Sequence, residues 1–204
     1  MLIALQMFTP LPADRATGCA ISCAVSCAVS CAQTSLQVTY SLDMSLAEAR
    51  AKLAWPAPLA MPGRTTGLWQ HTCFELFLRQ PGSRAYIEVN AAPTGAWNCF
   101  SFSDYREDMQ ETTTPRMTAV VPGSNPRAPA ELQLVLDLQD WLAGIPPRSG
   151  ATTESEPAAL QLGLSAVIAD QHGGLGYFAL GHATARPDFH HHLNHSLTIP
   201  WSHS

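Results

Sequence analysis

Apolar and polar residues alternate in several short segments of the chain, a pattern typical of half-buried strands. In residues 72–79 the even positions Phe74, Leu76 and Leu78 are apolar, and in residues 84–91 the odd positions are apolar. The sequence Gln-Pro-Gly-Ser at 80–83 separates these segments and favours a tight turn. The pattern therefore predicts a hairpin in which Arg79 lies opposite Arg84.

That register places the apolar residues of both strands on one face and the polar residues on the other. On the polar face it pairs Glu75 with Glu88 and Cys73 with Asn90. A second turn at 92–95 would bring a third strand alongside. The prediction is one sheet face on which the following side chains meet: Glu75, Glu88, Asn90, Trp97 and Cys99.

Two carboxylates directly opposite each other repel unless a cation, an arginine or a shared proton compensates. Arg106 is the nearest arginine downstream of these strands. Three interpretations stay open: a neutralised or solvated acid pair, a ligand-binding face, and a catalytic acid pair. The cross-strand spacing of ~5 Å also suits a retaining glycosidase, but many inert ladders share it.

Further alternating segments predict additional strands at 36–42, 116–121, 131–137, 160–168, 175–180 and 197–201. Short helices are predicted at 45–54 and 137–144, where helix formers follow a capping residue or precede a glycine. Turn signals are frequent and a βαβ rhythm is missing. We therefore predict an all-β protein, an antiparallel jelly-roll-like β-sandwich with one or two short helices.

Residues 1–35 contain a four-residue tandem repeat with Cys19, Cys23, Cys27 and Cys31. Its strict alternation favours a strand, in which successive cysteines would be ~13 Å apart and could not share one zinc ion. We predict that residues 1–35 form an irregular leader whose repeat adds a strand to the sheet. Residues 36–204 are predicted to form a single β-sandwich domain.

Composition narrows the classes of partner and compartment. Only 13% of residues are charged, the net charge is −5, and no basic block occurs, so nucleic acid and anionic membranes are not expected partners. The N-terminus lacks the pattern of a secretory signal, and no apolar run is long enough to span a bilayer. The expected location is the cytoplasm.

Histidines concentrate near the C-terminus between His182 and His195. Alternate positions are occupied by Asp188, His190 and His192, whose side chains would project from the same side of an extended chain and could converge on a metal ion. His182 is a further candidate metal ligand. The alternative is a surface loop before the last strand.

Three motifs carry a resemblance to a known family: LWQHTCFELFL, YIEVNAAPTGAWNCFSFSDYREDM and GYFALGHATARPDFHHHLNHSL. Together they resemble bacterial DOMON-like proteins related to family 9 carbohydrate-binding modules, over residues 36–199. The resemblance implies a jelly-roll-like sandwich in a superfamily that binds sugars or haem. It also implies that Pro187, Asp188, Phe189 and His190 of the PDFH motif matter more than the two following histidines.

The resemblance suggests two kinds of ligand site. Sugar-binding relatives hold a sugar between two tryptophans, for which Trp69 and Trp97 are the candidates. Haem-binding relatives use an axial Met and His, for which Met109 or Met117 with His182 or His190 could be proposed.

The first functional hypothesis is a non-catalytic domain that binds a small molecule, a carbohydrate in particular, without a cofactor. Trp69 or Trp97 would stack on the sugar, and its hydroxyls would bond to Glu75, Glu88, Asn90 and Arg106. The alternatives are a haem or metal protein that uses residues 182–195, and a glycosidase-like enzyme that uses Glu75 and Glu88. No nucleophile elbow, phosphate-binding glycine loop or HExxH motif occurs.

Overall fold

Antiparallel strands dominate the computed structural model, which describes residues 1–8, 24–32, 34–43, 52–122, 130–144, 158–183 and 186–201. Elements that lie wholly within these ranges include a short helix, Gln139–Ala143, and two 3-10 turns, Leu68–Gln70 and His192–His195. The bounds are β1 Leu2–Ala4, β2 Gln6–Met7, β3 Ala24–Ala32, β4 Ser35–Asp43, β5 Cys73–Arg79, β6 Tyr86–Ala91, β7 Trp97–Phe102, β8 Gln110–Glu111, β9 Arg116–Pro122, β10 Ala130–Asp137, α1 Gln139–Ala143, β11 Ala158–Ala169, β12 Leu175–Ala179 and β13 Leu197–Trp201.

Among these residues the strands form two sheets. One sheet has the order β1-β3-β4-β10-β9, and the other has the order β2-β12-β11-β5-β6-β7-β8, with β13 also paired to β11. The prediction of an all-β antiparallel sandwich with few helices is confirmed, whereas its jelly-roll connectivity stays a prediction.

The main core lies between the sheets and follows from the alternation. Leu36, Val38 and Leu42 of β4 point into it together with Phe74 and other even-numbered residues of β5. Tyr40 also crosses the core, and its hydroxyl donates a hydrogen bond of 2.7 Å to the backbone carbonyl of Glu75. The two sheets are thus joined by a polar contact at the strand that carries the predicted site.

The predictions for the segments outside the central strands can be compared with the structure only in part. Strand β3 contains the C-terminal part of the cysteine repeat and pairs with both β1 and β4, while Cys19 and Cys23 lie outside the described residues. Most of the helix predicted at 45–54 also lies outside them. The division of the chain at residue 35 stays a prediction.

The register of the first hairpin was predicted wrongly by two residues. Arg79 pairs with Tyr86 because the loop runs through residues 80–85, and Arg84 instead forms an exposed ion pair of 3.0 Å with Asp104. Glu75 therefore lies opposite Asn90, and Glu88 lies opposite Phe77. A shift of two residues keeps every side chain on its predicted face.

The second hairpin differs by one residue, and this has larger consequences. Ala92 and Ala96 pair through a backbone bond of 2.9 Å around a three-residue turn, in which Gly95 adopts a φ of 84°. Asn90 consequently lies opposite Asn98, and Ala91 lies opposite Trp97. The one-residue shift turns Trp97 and Cys99 to the core side of the sheet, so the prediction that they share a face with Glu75 is wrong.

Candidate functional site

The outer face of β5 and β6 forms the floor of the candidate site. Glu75 and Glu88 are diagonal neighbours on this face and are 4% and 6% exposed, respectively. Around them the strands contribute a second apolar cluster, separate from the main core, that includes Cys73, Phe77 and Phe100. Strand β5 is therefore buried on both faces, although only one face packs against the other sheet.

A segment near the C-terminus covers part of this floor. Phe189 belongs to the second apolar cluster, and the ring of His195 stacks on Phe77 with a centroid distance of 5.0 Å. Asn194 anchors the segment, since its Nδ2 donates to the carbonyl of Phe189 and its Oδ1 accepts from the backbone N–H of Leu180.

Between this cover and the 3-10 turn Leu68–Gln70 lies a cleft of about 410 Å³. Its floor holds Glu75 and Glu88, and Trp69 stands at its side with 40% of its surface exposed. The full lining is Trp69, Glu75, Glu88, Phe102, Arg106, Met109, Val167, Tyr177, Pro187, Phe189 and His190.

Glu88 has two polar neighbours. Asn90 Nδ2 donates a hydrogen bond of 2.8 Å to Glu88 Oε1, and His190 Nε2 lies 3.7 Å from Glu88 Oε2. Burial raises the pKa of the Glu88 carboxyl to about 7, although the Asn90 bond and the Arg106 charge oppose the shift. Glu88 can therefore exchange a proton near neutral pH.

Glu75 is in a different situation. No hydrogen bond or ion pair reaches its carboxylate from the described residues, although the carboxylate lies in the cleft lining. Burial, followed by the charge of Glu88, raises the pKa of the Glu75 carboxyl well above its ordinary value, against the opposing charge of Arg106.

Arg106 is held at the cleft by both its backbone and its side chain. Its φ of 57° is a left-handed conformation that is costly for an arginine, and its N–H donates to the Tyr86 hydroxyl at 3.1 Å. The guanidinium donates to Asp188 Oδ1 at 3.0 Å, and the Tyr105 hydroxyl donates to Asp188 Oδ2. Arg106 acts on the two acids through space, while its direct partner is Asp188.

His190 is largely covered, with 12% of its side chain exposed. Its Nδ1 lies 2.7 Å from the Tyr86 hydroxyl, which also accepts the N–H of Arg106. If Tyr86 donates to Nδ1, the ring proton sits on Nε2 and faces Glu88. Burial lowers the pKa of His190 to about 3.

The structure brings together four of the six predicted ligand-binding residues, Trp69, Glu75, Glu88 and Arg106, in one cleft. Asn90 lies beneath the cleft as the hydrogen-bond partner of Glu88. Trp97 instead packs against the main core, with the guanidinium of Arg64 5.0 Å above its ring.

The candidate metal ligands are dispersed. His190 lines the cleft, Asp188 binds Arg106, His182 lies 2.9 Å from the carbonyl of Gln6, and His192 packs on His191. Within the described parts of the chain no three His, Cys, Asp or Glu side chains are grouped to hold a metal ion.

Of the proposed haem ligands, Met109 and His190 both line the cleft, whereas Met117 packs against the core. Haem binding stays a prediction.

Sequence reasoning missed most of the apolar walls. The position of Phe102 in the cleft wall can be derived from β7 once the one-residue shift of that strand is known, because its even-numbered residues then face the cleft. Tyr177 and Val167 come from β12 and β11, for which only the strands themselves were predicted. Phe189 was marked only as part of the PDFH motif.

A second cavity, of about 730 Å³, lies near Trp55 at one end of the sheet. Its carboxylate, Asp170, already accepts the backbone N–H groups of His172 and Gly174 at 2.8 and 2.9 Å. This acid closes the turn between β11 and β12, so its carboxylate is already engaged by the backbone.

None of the helices in the described ranges is long and apolar enough to cross a membrane.

Comparison with solved structures finds the same fold in a Bacteroides uniformis protein provisionally described as carbohydrate-binding. The match has a TM-score of 0.64 at 12% identity and covers 99% of this chain and 86% of that chain. A family 9 carbohydrate-binding module from Caldicellulosiruptor kristjanssonii, in complex with glucose or with cellotriose, matches at a TM-score of 0.43. Those two matches have 10% and 9% identity and cover 86% of this chain and 73% and 71% of the module chains.

At 12% identity the Bacteroides likeness shows the fold alone. No family model and no curated protein matches the sequence. The resemblance to DOMON-like proteins therefore stays a prediction.

Proposed function

We propose that this protein is a non-catalytic binding domain that holds a carbohydrate in the cleft. The observation that supports the proposal most is the make-up of the cleft, in which the half-exposed ring of Trp69 stands beside two buried carboxylates. An apolar ring plus a few convergent polar groups is the usual composition of a small-ligand site. The description of the Bacteroides uniformis protein makes sugars the first ligand class to test.

The roles of the residues follow from their positions. Trp69 would stack on the apolar face of a pyranose ring, as aromatic side chains do with flat apolar surfaces. Glu75 and Glu88 would accept hydrogen bonds from hydroxyl groups at the floor. Arg106, fixed by Asp188, would donate through guanidinium N–H groups that do not contact Asp188.

Isothermal titration with a panel of hexoses and short glucans tests this proposal. We expect Trp69→Ala to lower the affinity for the best sugar at least about tenfold, which corresponds to ~1.4 kcal/mol of lost binding energy. Met61→Ala is the matched control, because Met61 is 89% exposed and lies outside the cleft lining. The control should bind like the wild type.

Two outcomes would contradict the proposal. One is that no sugar of the panel binds at millimolar concentration. The other is that binding survives Trp69→Ala but is lost in Trp55→Ala, because that result would move the sugar to the second cavity.

A further inference from the structure

The carboxylate of Glu75 lies in the cleft lining without a hydrogen bond or ion pair from the described residues. A buried carboxylate without a hydrogen bond is costly, so such a group normally has a partner. The cross-strand neighbours of Glu75 do not supply one: Asn90 gives its Nδ2 to Glu88, and the Oγ of Ser165 is buried without a partner. A molecule in the cleft is therefore placed to supply the donor for Glu75.

The charges around the cleft do not balance. The guanidinium of Arg106 is matched by Asp188 at 3.0 Å, and His190 is neutral. Tyr177, which faces Glu75 from β12, carries no positive charge. When both are ionised, Glu75 and Glu88 leave a surplus of negative charge and of hydrogen-bond acceptors at the floor. Because burial raises the pKa of both carboxyls, a bound cation would favour this ionised form.

The walls suit a cation as well as a sugar ring. Trp69, Phe102, Tyr177 and Phe189 contribute aromatic rings to the lining. Aromatic faces attract cations electrostatically, and this attraction increases where water is excluded. The aromatic walls and the acidic floor thus both favour a ligand that carries a positive charge.

We propose that the ligand of the cleft is an amino sugar whose ammonium group binds the carboxylate of Glu75. An ammonium group offers three N–H donors and a positive charge, so it answers both the missing donor and the charge surplus. This inference rests on the proposed carbohydrate-binding function and narrows its ligand class.

Titration calorimetry with matched pairs of sugars tests the inference. Glucosamine, galactosamine and mannosamine are each compared with the parent hexose, which carries a hydroxyl in place of the ammonium group. We expect at least one amino sugar to bind about tenfold more tightly than its parent, because a charge-assisted hydrogen bond is roughly twice as strong as a neutral one.

Variants then assign the preference to Glu75. Glu75→Gln keeps the shape and an acceptor oxygen but removes the charge, so the two members of a pair should bind within about twofold of each other. Glu131→Gln is the matched control, since Glu131 is exposed on β10 in the other sheet, and it should keep the full preference. Thermal melting verifies that both variants are folded.

The outcomes separate this inference from the function on which it rests. Parent hexoses that bind the wild type as tightly as the amino sugars would overturn the inference and leave carbohydrate binding intact. A preference that persists in Glu75→Gln would overturn the assignment to Glu75. No binding by any sugar of either series would overturn the proposed function and this inference with it.

Discussion

Gly163 of β11 determines how closely the C-terminal segment approaches the sheet. A Cβ atom at this position would lie 2.7 Å from His195 Cδ2, 3.0 Å from Phe77 Cβ and 3.1 Å from the carbonyl oxygen of Asn194. Two of these three atoms belong to β-carbon or backbone positions that cannot rotate away. The absence of a side chain at residue 163 is what allows His195 to stack on Phe77.

We therefore expect Gly163→Ala to lower the free energy of unfolding by about 1–3 kcal/mol, the usual cost of overpacking. The midpoint of urea unfolding measures this change. Gly63→Ala is the control, because a Cβ at residue 63 would meet no atom within 4 Å. Equal midpoints for the two variants would mean that the C-terminal segment does not pack against β11 as described.

At the scale of elements, the limits of sequence reasoning lie in the loops. Alternation predicted β5, β6 and β7 because each strand buries one regular set of side chains. It could not count the residues in each turn. The two additional loop residues before Tyr86 left every face unchanged, whereas the three-residue turn before Ala96 turned Trp97 away from the site. A side chain is therefore assigned to the correct face of the sheet when the loop length is mispredicted by an even number of residues, and to the wrong face when the number is odd.

The turns of the two hairpins also differ in how tightly glycine is required. Gly82 and Gly95 have φ values of 83° and 84°, but only a Cβ at residue 95 would meet a neighbour, Pro62 Cβ at 3.0 Å. We expect Gly82→Ala to cost about 1 kcal/mol of stability from backbone strain alone, and Gly95→Ala to cost more. Urea unfolding of both variants measures the difference. A Gly95→Ala variant as stable as Gly82→Ala would argue against the contact with Pro62.

At the scale of the whole molecule, the site combines residues that are close in sequence with residues that are distant. Glu75, Glu88 and Arg106 could be named in advance, because neighbouring hairpins and a following loop bring them together. Tyr177 and Phe189 could not, since their place depends on where β12 and the C-terminal segment pack, and local alternation carries no information about that.

Buried titratable groups make the stability of the whole molecule depend on pH in two opposite ways. Burial lowers the pKa values of His190 and His195 to about 3 and about 4, from an ordinary value of 6.5. At these two histidines the unfolded chain therefore binds more protons than the folded protein below pH 6.5, and their contribution to stability falls as the pH decreases from 6.5 toward 4. Glu88 has the opposite effect, because its pKa is raised from 4.5 to about 7.

The contribution of Glu88 is fully present below pH 4.5 and is lost as the pH rises through about 7, where the folded protein must release a proton from a buried carboxyl. We expect Glu88→Gln to remove this loss, which amounts to roughly 1–3 kcal/mol. Between pH 5 and pH 8 the free energy of unfolding, measured by chemical unfolding, should fall less or rise more in the variant than in the wild type. Both proteins keep His190 and His195, so the contribution of these histidines cancels when the pH dependence of the two proteins is compared. If the free energy of unfolding changes by the same amount from pH 5 to pH 8 in both proteins, Glu88 is not the group that titrates.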